Sequence, residues 1–293
     1  MKVFYSPGYV MAATDFESTC KAGWIAASLH ERPIAGIEII EPAPLTAEVI
    51  GAVHDPAYVE AVQTGEPAEL AASNGVGWRP LLFDAEAAVE GGTVAAALDA
   101  LTNGRISGSI GSSGHHARRA RGNGFCTFNG LALAAKAARD AGAERVLILD
   151  LDAHCGGGTY SLIKADPGIV QIDVAVNLFD YYEPPEPHDL LLAMDPAVYL
   201  ATIQHQLGTI DRFGSFDLVL YNAGMDPFGD CPIGGLPGIN EAMLAERERM
   251  VFGWARSRGL PLAFVMAGGY LGDDVDQRRL VDLHRMTLSA AQG

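Results

Sequence analysis

Cysteine pairs, long apolar runs and a secretory leader are all missing from this sequence. The four cysteines (Cys20, Cys126, Cys155 and Cys231) are scattered and form no CxxC pair, which argues against a disulfide framework and gives no zinc-ribbon spacing. No stretch approaches the roughly 18 uncharged apolar residues of a membrane span. Residues 1–10 lack the apolar core of a signal peptide. We therefore expect a cytoplasmic protein with no membrane partner.

Basic residues are also scarce. The 293 residues include 20 Lys and Arg against 36 Asp and Glu, a formal net charge of −16. A surface that binds nucleic acid needs clustered Lys and Arg, so we predict no direct nucleic-acid partner. An acidic field favours cationic substrates, although acidic soluble proteins are common. The chain is 49% hydrophobic, which is enough for a sizeable core.

Strand-like and helix-like segments alternate along the chain. Apolar runs such as 146–149 and 218–221 are separated by segments with helical character, such as the alanine-rich 84–101. Strands that alternate with helices of this length require crossover connections. The sequence therefore predicts an α/β fold with a mostly parallel central sheet and helices on both faces. No repeat, low-complexity tract or linker divides the chain, so we expect a single domain over residues 1–293.

Polar clusters follow four of the predicted strands. In an open parallel sheet, binding sites lie at the carboxyl ends of the strands, so these clusters should share one edge. A structural explanation is adequate for each cluster taken alone, and their repeated placement is what favours a site. The clusters are His115 and His116; Asp150, Asp152 and His154; Asp226; and Gly268, Gly269 and Tyr270.

Asp152, His154 and Asp226 form an oxygen–nitrogen–oxygen set of candidate metal ligands. Three protein ligands and an open position are typical of a catalytic zinc, which polarises a carbonyl and brings the pKa of bound water to about 7. The alternative is that each aspartate caps the next helix and that His154 is merely packed. The two readings stay open for Asp226 taken alone.

Two further groups are candidates for catalysis. Adjacent histidines are often incidental surface residues, but beside a metal His115 and His116 become candidates for general base and general acid, because imidazole titrates near neutral pH. Tyr270 follows two glycines, and its hydroxyl could donate to a developing oxyanion. Its alternative role is an aromatic ring that closes a glycine turn.

Taken together, these clusters resemble one known superfamily. The segments GHHA, GFCTFN, DLDAHCGGGT, NAGMDPFGD and AGGYL occur in this order, and they are similar to the signatures of the histone deacetylase and acetylpolyamine amidohydrolase superfamily. The resemblance covers nearly the whole chain and implies an arginase/deacetylase-like α/β fold.

The resemblance also implies roles for individual residues. It implies that one aromatic of Phe179, Tyr181 and Tyr182 forms the wall of the acyl channel opposite Phe125. The implied set is Zn²⁺ held by Asp152, His154 and Asp226; a catalytic pair of His115 and His116; Asp150 to orient His115; Tyr270 to polarise the substrate carbonyl; and Gly124, Phe125 and Gly268 for substrate binding.

Several positions depart from the family pattern. The family has Asp or Asn three residues after the metal-binding histidine, where this chain has Gly157, so the group that would steady His116 is missing. The family's structural K⁺ site uses a serine where this chain has Ala175, which leaves K⁺ an open expectation. The related arginases bind two manganese ions through extra carboxylates, which Gly156 and Phe228 replace here. We expect one metal.

The implied function is a zinc-dependent deacetylase that hydrolyses an N-acylated amine. Metal-activated water attacks the amide, the histidine pair moves the protons, and acetate or a related short acid leaves. The motifs do not separate an N-acetylated lysine peptide from an acetylated polyamine, or from another small amide or ester. A hypothesis of another class is a catalytically weak acyl-lysine-binding regulatory protein, for which Gly157 is the sole support. The sequence leaves open whether the protein is a homo-oligomer.

Overall fold

The computed structural model describes all of residues 1–293. Eight strands form one sheet, and every adjacent pair is parallel. The predicted mostly parallel sheet is therefore confirmed. The strands are β1 (Lys2–Phe4), β2 (Glu38–Ile40), β3 (Ile106–Ser109), β4 (Val146–Asp150), β5 (Ile169–Ala175), β6 (Asp189–Leu192), β7 (Leu218–Ala223) and β8 (Leu262–Met266).

The order of the strands across the sheet is β2-β1-β3-β8-β7-β4-β5-β6. Every residue of β4, β5, β7 and β8 is buried. A strand with both faces covered needs a continuous apolar run rather than an alternating one, which is the pattern of VLILD in β4 and LAFVM in β8. The two strands at one end of the sheet, β2 and β1, are only three residues long.

Helices connect the strands and cover the sheet. Side chains cap the start of several of them, as expected for Asp and Thr at this position: Thr46 accepts from the N–H of Val49, and Asp55 accepts from that of Ala57. The helices are α1 (Lys21–Glu31), α2 (Ala47–Gly51), α3 (Pro56–Thr64), α4 (Ala68–Ala71), α5 (Leu82–Asn103), α6 (Gly130–Asp140), α7 (Gly157–Ile163), α8 (Pro196–Thr209), α9 (Glu241–Arg258) and α10 (Gln277–Gln292).

Two apolar clusters lie on opposite faces of the sheet. Successive residues of a strand point to opposite faces, so Leu147 packs in the cluster that contains residues of α1, α8, α9 and α10. Its neighbour Ile148 packs in the cluster that contains residues of α3, α5 and α6. The prediction of helices on both faces is confirmed.

Some elements differ from the sequence prediction. The sequence indicates an irregular stretch over 177–189 and predicts no strand before the helix at Pro196, so β6 is an addition; DLLL is too short to show a pattern. The helical pattern of the last segment predicts a helix from Asp273, but α10 begins at Gln277, because Asp276 accepts from the N–H of Arg279 and caps the helix there. No helix combines the length and the apolar character that crossing a membrane demands.

Candidate active site

The four polar clusters meet at one edge of the sheet, as predicted. β8 lies between β3 and β7, and β4 lies beside β7, so the carboxyl ends of these four strands are neighbours. They open into one cleft. Among the residues that line the cleft are His115, His116, Asp152, Gly268 and Tyr270.

The candidate ligands Asp152, His154 and Asp226 lie together. One donor atom of each falls within 4.8 Å of the others. His154 Nδ1 is 3.0 Å from Asp152 Oδ1 and 3.1 Å from Asp226 Oδ2, close to the roughly 3.4 Å between ligands of a tetrahedral zinc with bonds of about 2.1 Å. Asp226 Oδ2 is buried and has no hydrogen-bond partner. The three residues fit a zinc ion.

Electrostatics at this cluster favour a cation. Burial raises the pKa of Asp226 to about 6, and the neighbouring Asp152 contributes to the rise. Burial acts to lower the pKa of His154, but its hydrogen bond to Asp152 and the nearby carboxylate of Asp226 raise it to about 10. Two buried carboxylates therefore hold a protonated imidazole between them. A metal ion would replace that proton, because ligands bind metals in their deprotonated form.

His115 is fixed by Asp150 from the end of β4. His115 Nδ1 lies 2.9 Å from Asp150 Oδ2. The other carboxylate oxygen of Asp150 accepts from Asn222 Nδ2 at 2.7 Å and from the N–H of Asp152 at 3.2 Å. The sequence singled out Asp150 for this position but missed Asn222, which is buried at the end of β7.

His116 is held by a residue that the sequence analysis did not single out. Its Nδ1 lies 3.0 Å from Asp180 Oδ2. Asp180 follows the candidate wall residue Phe179 in the long stretch between β5 and β6. The missing carboxylate at Gly157 was the one signal that a substitute was needed, and nothing in the sequence indicated where it lies.

The pKa values of the two histidines are shifted in opposite directions. The rings are stacked at a tilt, with centroids 3.9 Å apart. Burial acts to lower the pKa of His115, but Asp150 and Asp152 raise it to about 10. Burial, with the charge of His115, lowers the pKa of His116 to about 4. At neutral pH His115 is therefore cationic and His116 neutral.

Tyr270 and Gly268 lie on the other side of the candidate ligands. Burial and the charges of Asp226 and Asp152 hold the pKa of Tyr270 well above its usual range, so its hydroxyl stays protonated. The N–H of Gly268 donates to Asp152 Oδ2 at 2.9 Å. A Cβ at Gly268 would lie 2.1 Å from Asp226 Oδ2, so only glycine fits here.

Lys21 is a cleft residue that the sequence analysis missed. It is buried, it lines the cleft, and its ammonium donates to the carbonyl of Ala267, the residue before Gly268. Burial lowers the pKa of Lys21, and the charges of Asp226 and Asp152 oppose the change. Because Ala267 is 246 positions away in the sequence, no local pattern predicts this contact.

Aromatic rings form the mouth of the cleft. Phe125 is 39% exposed and packs against Phe16, with ring centroids 4.8 Å apart. Phe179 is 48% exposed, and its ring stands edge-on to His116 at 4.9 Å. Of the three aromatics considered for this wall, Phe179 thus approaches the histidine pair, whereas Tyr182 points to Asp173 Oδ2 at 3.3 Å. A Cβ at Gly124 would lie 3.0 Å from Phe179 Cε1.

Comparison with known proteins identifies the family. The model of the histone deacetylase domain matches residues 16–182. An uncharacterized protein of Picosynechococcus sp. is 33% identical over 224 residues, 74% of each chain. The chain belongs to the histone deacetylase family, as the sequence motifs implied.

Named relatives are matched over smaller parts of their length. Histone deacetylase 2 of Arabidopsis thaliana is 31% identical over 62% of this chain and 48% of its own. The polyamine deacetylase HDAC10 of Mus musculus is 37% identical over 42% of this chain and 20% of its own. The chain thus spans less than half of either protein.

Solved structures confirm the predicted arginase/deacetylase-like fold. The HDA15 HD domain superposes with a TM-score of 0.80 at 20% identity and covers all of this chain and 91% of its own. An acetylpolyamine aminohydrolase from Burkholderia pseudomallei gives 0.82 at 19% identity, with 100% and 99% coverage. At these identities the likeness concerns the fold.

Proposed function

We propose that the protein is a zinc-dependent amidohydrolase that removes an acetyl or other short acyl group from an N-acylated amine. One observation carries the proposal: Asp152, His154 and Asp226 lie together, and Asp152 lines the same cleft as His115, His116 and Tyr270. Membership of the histone deacetylase family supports the same reaction.

In this proposal Asp152, His154 and Asp226 hold the zinc. When bound, the ion supplies a Lewis acid that polarises the substrate carbonyl and makes water acidic enough to attack near neutral pH. Three protein ligands leave a position open for that purpose. The buried Asp226 Oδ2, which has no hydrogen-bond partner, would be free to coordinate the ion.

The histidine pair moves the protons. His116 is neutral at pH 7 and able to accept a proton from the attacking water. His115 lies against the carboxylate of Asp150, which stabilises its imidazolium, and it can supply the proton that the leaving amine needs. Two titratable groups whose pKa values are pushed apart are the usual sign of such a division of roles.

Tyr270 assists at the carbonyl oxygen. Its protonated hydroxyl can donate a hydrogen bond to the negative charge that develops there as the carbonyl becomes tetrahedral. The ring is held by Phe16, with centroids 6.1 Å apart and nearly parallel planes. Packing of this kind fixes the direction of the donor in advance of the reaction.

The mouth fits an acyl amide at the end of an aliphatic chain. Phe125 and Phe179 offer apolar rings to such a chain, and the net charge of −16 favours a cationic one. An acetyl-lysine peptide and an acetylated polyamine both meet this description, and relatives named for either substrate are similar to this chain. The alternative of an acyl-lysine-binding protein without catalysis loses its sole support, because Asp180 supplies His116 with the carboxylate that Gly157 lacks.

A substrate panel tests the proposal. Acetyl-lysine peptides, acetylputrescine, acetylspermidine and longer acyl-lysines would be incubated with protein as purified, after chelation, and after zinc is restored. We expect turnover of at least one substrate that chelation abolishes and zinc restores, with one zinc per chain by elemental analysis. An absence of turnover on every substrate with zinc restored would favour the binding hypothesis.

A further inference from the structure

We propose that Asp180, held in place by Arg118, is the positioning residue that orients His116. The lack of a side chain at Gly157 leaves the space that Asp180 occupies. This inference rests on the proposed function, in which His116 is the base. It names the group that orients the base, which comes from the loop at the mouth of the cleft rather than from the start of α7.

The carboxylate of Asp180 is fully engaged. Its Oδ2 lies 3.0 Å from His116 Nδ1 and accepts the N–H of Gly158, also at 3.0 Å. Its Oδ1 accepts from the guanidinium of Arg118, and its side chain is only 3% exposed. Because an ionised carboxylate can only accept, the hydrogen of His116 must be on Nδ1. The other ring nitrogen, Nε2, is then left with its lone pair free to act as a base.

Arg118 links the loop that carries Asp180 to the start of α7. Its guanidinium binds Asp180 and also donates to the carbonyl of Gly157 at 3.2 Å. Arg118 follows His116 by two positions, so one short segment carries both the histidine and the clamp on its partner. A charge-assisted pair of this kind is stronger than a hydrogen bond between neutral groups.

The space at Gly157 is already occupied. A Cβ added there would lie 2.3 Å from the backbone oxygen of Asp180 and 3.0 Å from its Cγ. Any side chain at 157 must therefore push the Asp180 loop away from His116. A side chain at 157 and the Asp180 carboxylate in its present place therefore exclude each other.

The backbone of Asp180 adopts an uncommon conformation. Its φ of +58° lies in the left-handed region, which is unfavourable for a residue with a Cβ and which Asp tolerates better than most. The three hydrogen-bond partners of the carboxylate offset this cost. The preceding residue, Phe179, contributes the mouth ring, so one loop supplies both a wall of the cleft and the anchor of the base.

The first test compares Asp180→Ala with Glu183→Ala, which removes an exposed carboxylate from the same loop. We expect Asp180→Ala to lower kcat by roughly 10- to 100-fold, with little change in KM or zinc content. Glu183→Ala should behave as the unmodified protein. Equal kcat in Asp180→Ala and in the unmodified protein would overturn the proposal, and so would equal losses in the two variants.

A second readout does not depend on turnover. Side-chain ¹⁵N NMR of the zinc-loaded protein should show His116 with its hydrogen on Nδ1, and Asp180→Ala should shift part of the population to Nε2. An unchanged tautomer in Asp180→Ala would refute the assignment. If the unmodified protein has no zinc-dependent turnover, the proposed function fails, yet this measurement still decides the role of Asp180.

A third comparison probes the space at Gly157 and covers the case in which Asp180→Ala does not fold. Gly157→Ala keeps every atom of the Asp180 side chain but displaces the loop, so kcat should fall and the His116 tautomer should shift. Gly51→Ala is the matched control, since a methyl there meets nothing within 4 Å. A Gly157→Ala variant with normal kcat and an unchanged tautomer would contradict the proposal.

Discussion

The proposed catalytic role of Tyr270 can be tested separately from the packing of its ring. Its ring is buried against Phe16 and Phe125, whereas the proposed role belongs to the hydroxyl alone. Removal of that hydroxyl therefore tests the chemistry without emptying the site.

We predict that Tyr270→Phe lowers kcat by roughly 100-fold or more, the effect typical of losing one oxyanion donor. Binding of a zinc-directed inhibitor should weaken far less, because the ligands and the ring remain. Steady-state kinetics and inhibitor titration measure the two effects, with Tyr5→Phe as a control away from the cleft. Equal losses in turnover and in inhibitor binding would remove Tyr270 from its assigned role.

Individual site residues were predictable where strands deliver them. Asp152, His154 and Asp226 come directly after buried apolar runs, and the topology of a parallel sheet brings such strand ends together. Asp180 was not predictable, because it lies 64 positions from His116 in a stretch without regular pattern. Its contact depends on a left-handed turn and on the empty space at Gly157, which appear only in three dimensions.

Among the elements, α5 carries an unusual pair of carboxylates. Glu86 and Glu90 lie one turn apart on this helix and both line the cleft. Burial raises the pKa of Glu86 to about 7, against the opposing effects of Thr127 and Arg79. Burial also holds the pKa of Glu90 well above its usual range, with a contribution from Glu86.

Glu86 in α5 makes the stability of the folded protein depend on pH. Between about pH 4.5 and 7 the folded protein keeps a proton on Glu86 that the unfolded chain has released, so the free energy of unfolding falls as pH rises through this window. Glu86→Gln removes the effect and should stabilise the protein by about 3 kcal/mol at pH 8, with little gain at pH 4.5.

Urea denaturation at the two pH values measures the difference between Glu86→Gln and the unmodified protein. Glu69→Gln, which changes an exposed glutamate in α4, serves as the control. A gain that is the same at pH 4.5 and pH 8 would show that Glu86 is not protonated in the folded state.

Elements with long or continuous apolar patterns were predicted well. β4 and β8 are predictable from sequence because both of their faces are buried, and α5 because it is long. β6 was missed, since four residues at the end of the sheet show no period. The start of α10 was placed early because the residues before it, from Gly272 to Val275, close a small turn of their own.

At the scale of the molecule, charge is the property with a measurable consequence. The net charge of −16 attracts cationic substrates over distances comparable with the Debye length, about 10 Å at 0.1 M salt. We predict that kcat/KM for acetylspermidine falls roughly tenfold between 20 mM and 500 mM salt. An uncharged acyl amide should show no such slope, and parallel slopes for the two substrates would mean that the field does not guide binding.

We also propose that residues 1–293 act as one catalytic domain. The apolar clusters on the two faces share the strands of one sheet, and the site takes residues from the middle of the chain to Tyr270. Asp226 and Tyr270 lie beyond residues 16–182, the part that matches the histone deacetylase model.

The place of β8 determines when this protein can fold during its synthesis. β8 is the last strand of the sheet in chain order and lies between β3 and β7, so the strands made before it can form only two separate pieces with open edges, β2-β1-β3 and β7-β4-β5-β6. Open strand edges invite pairing with other chains, and partly made chains are prone to aggregate. A chain that stops before Leu262 would contain all three candidate metal ligands, yet it would lack the strand that joins them to the half of the sheet bearing His115 and His116.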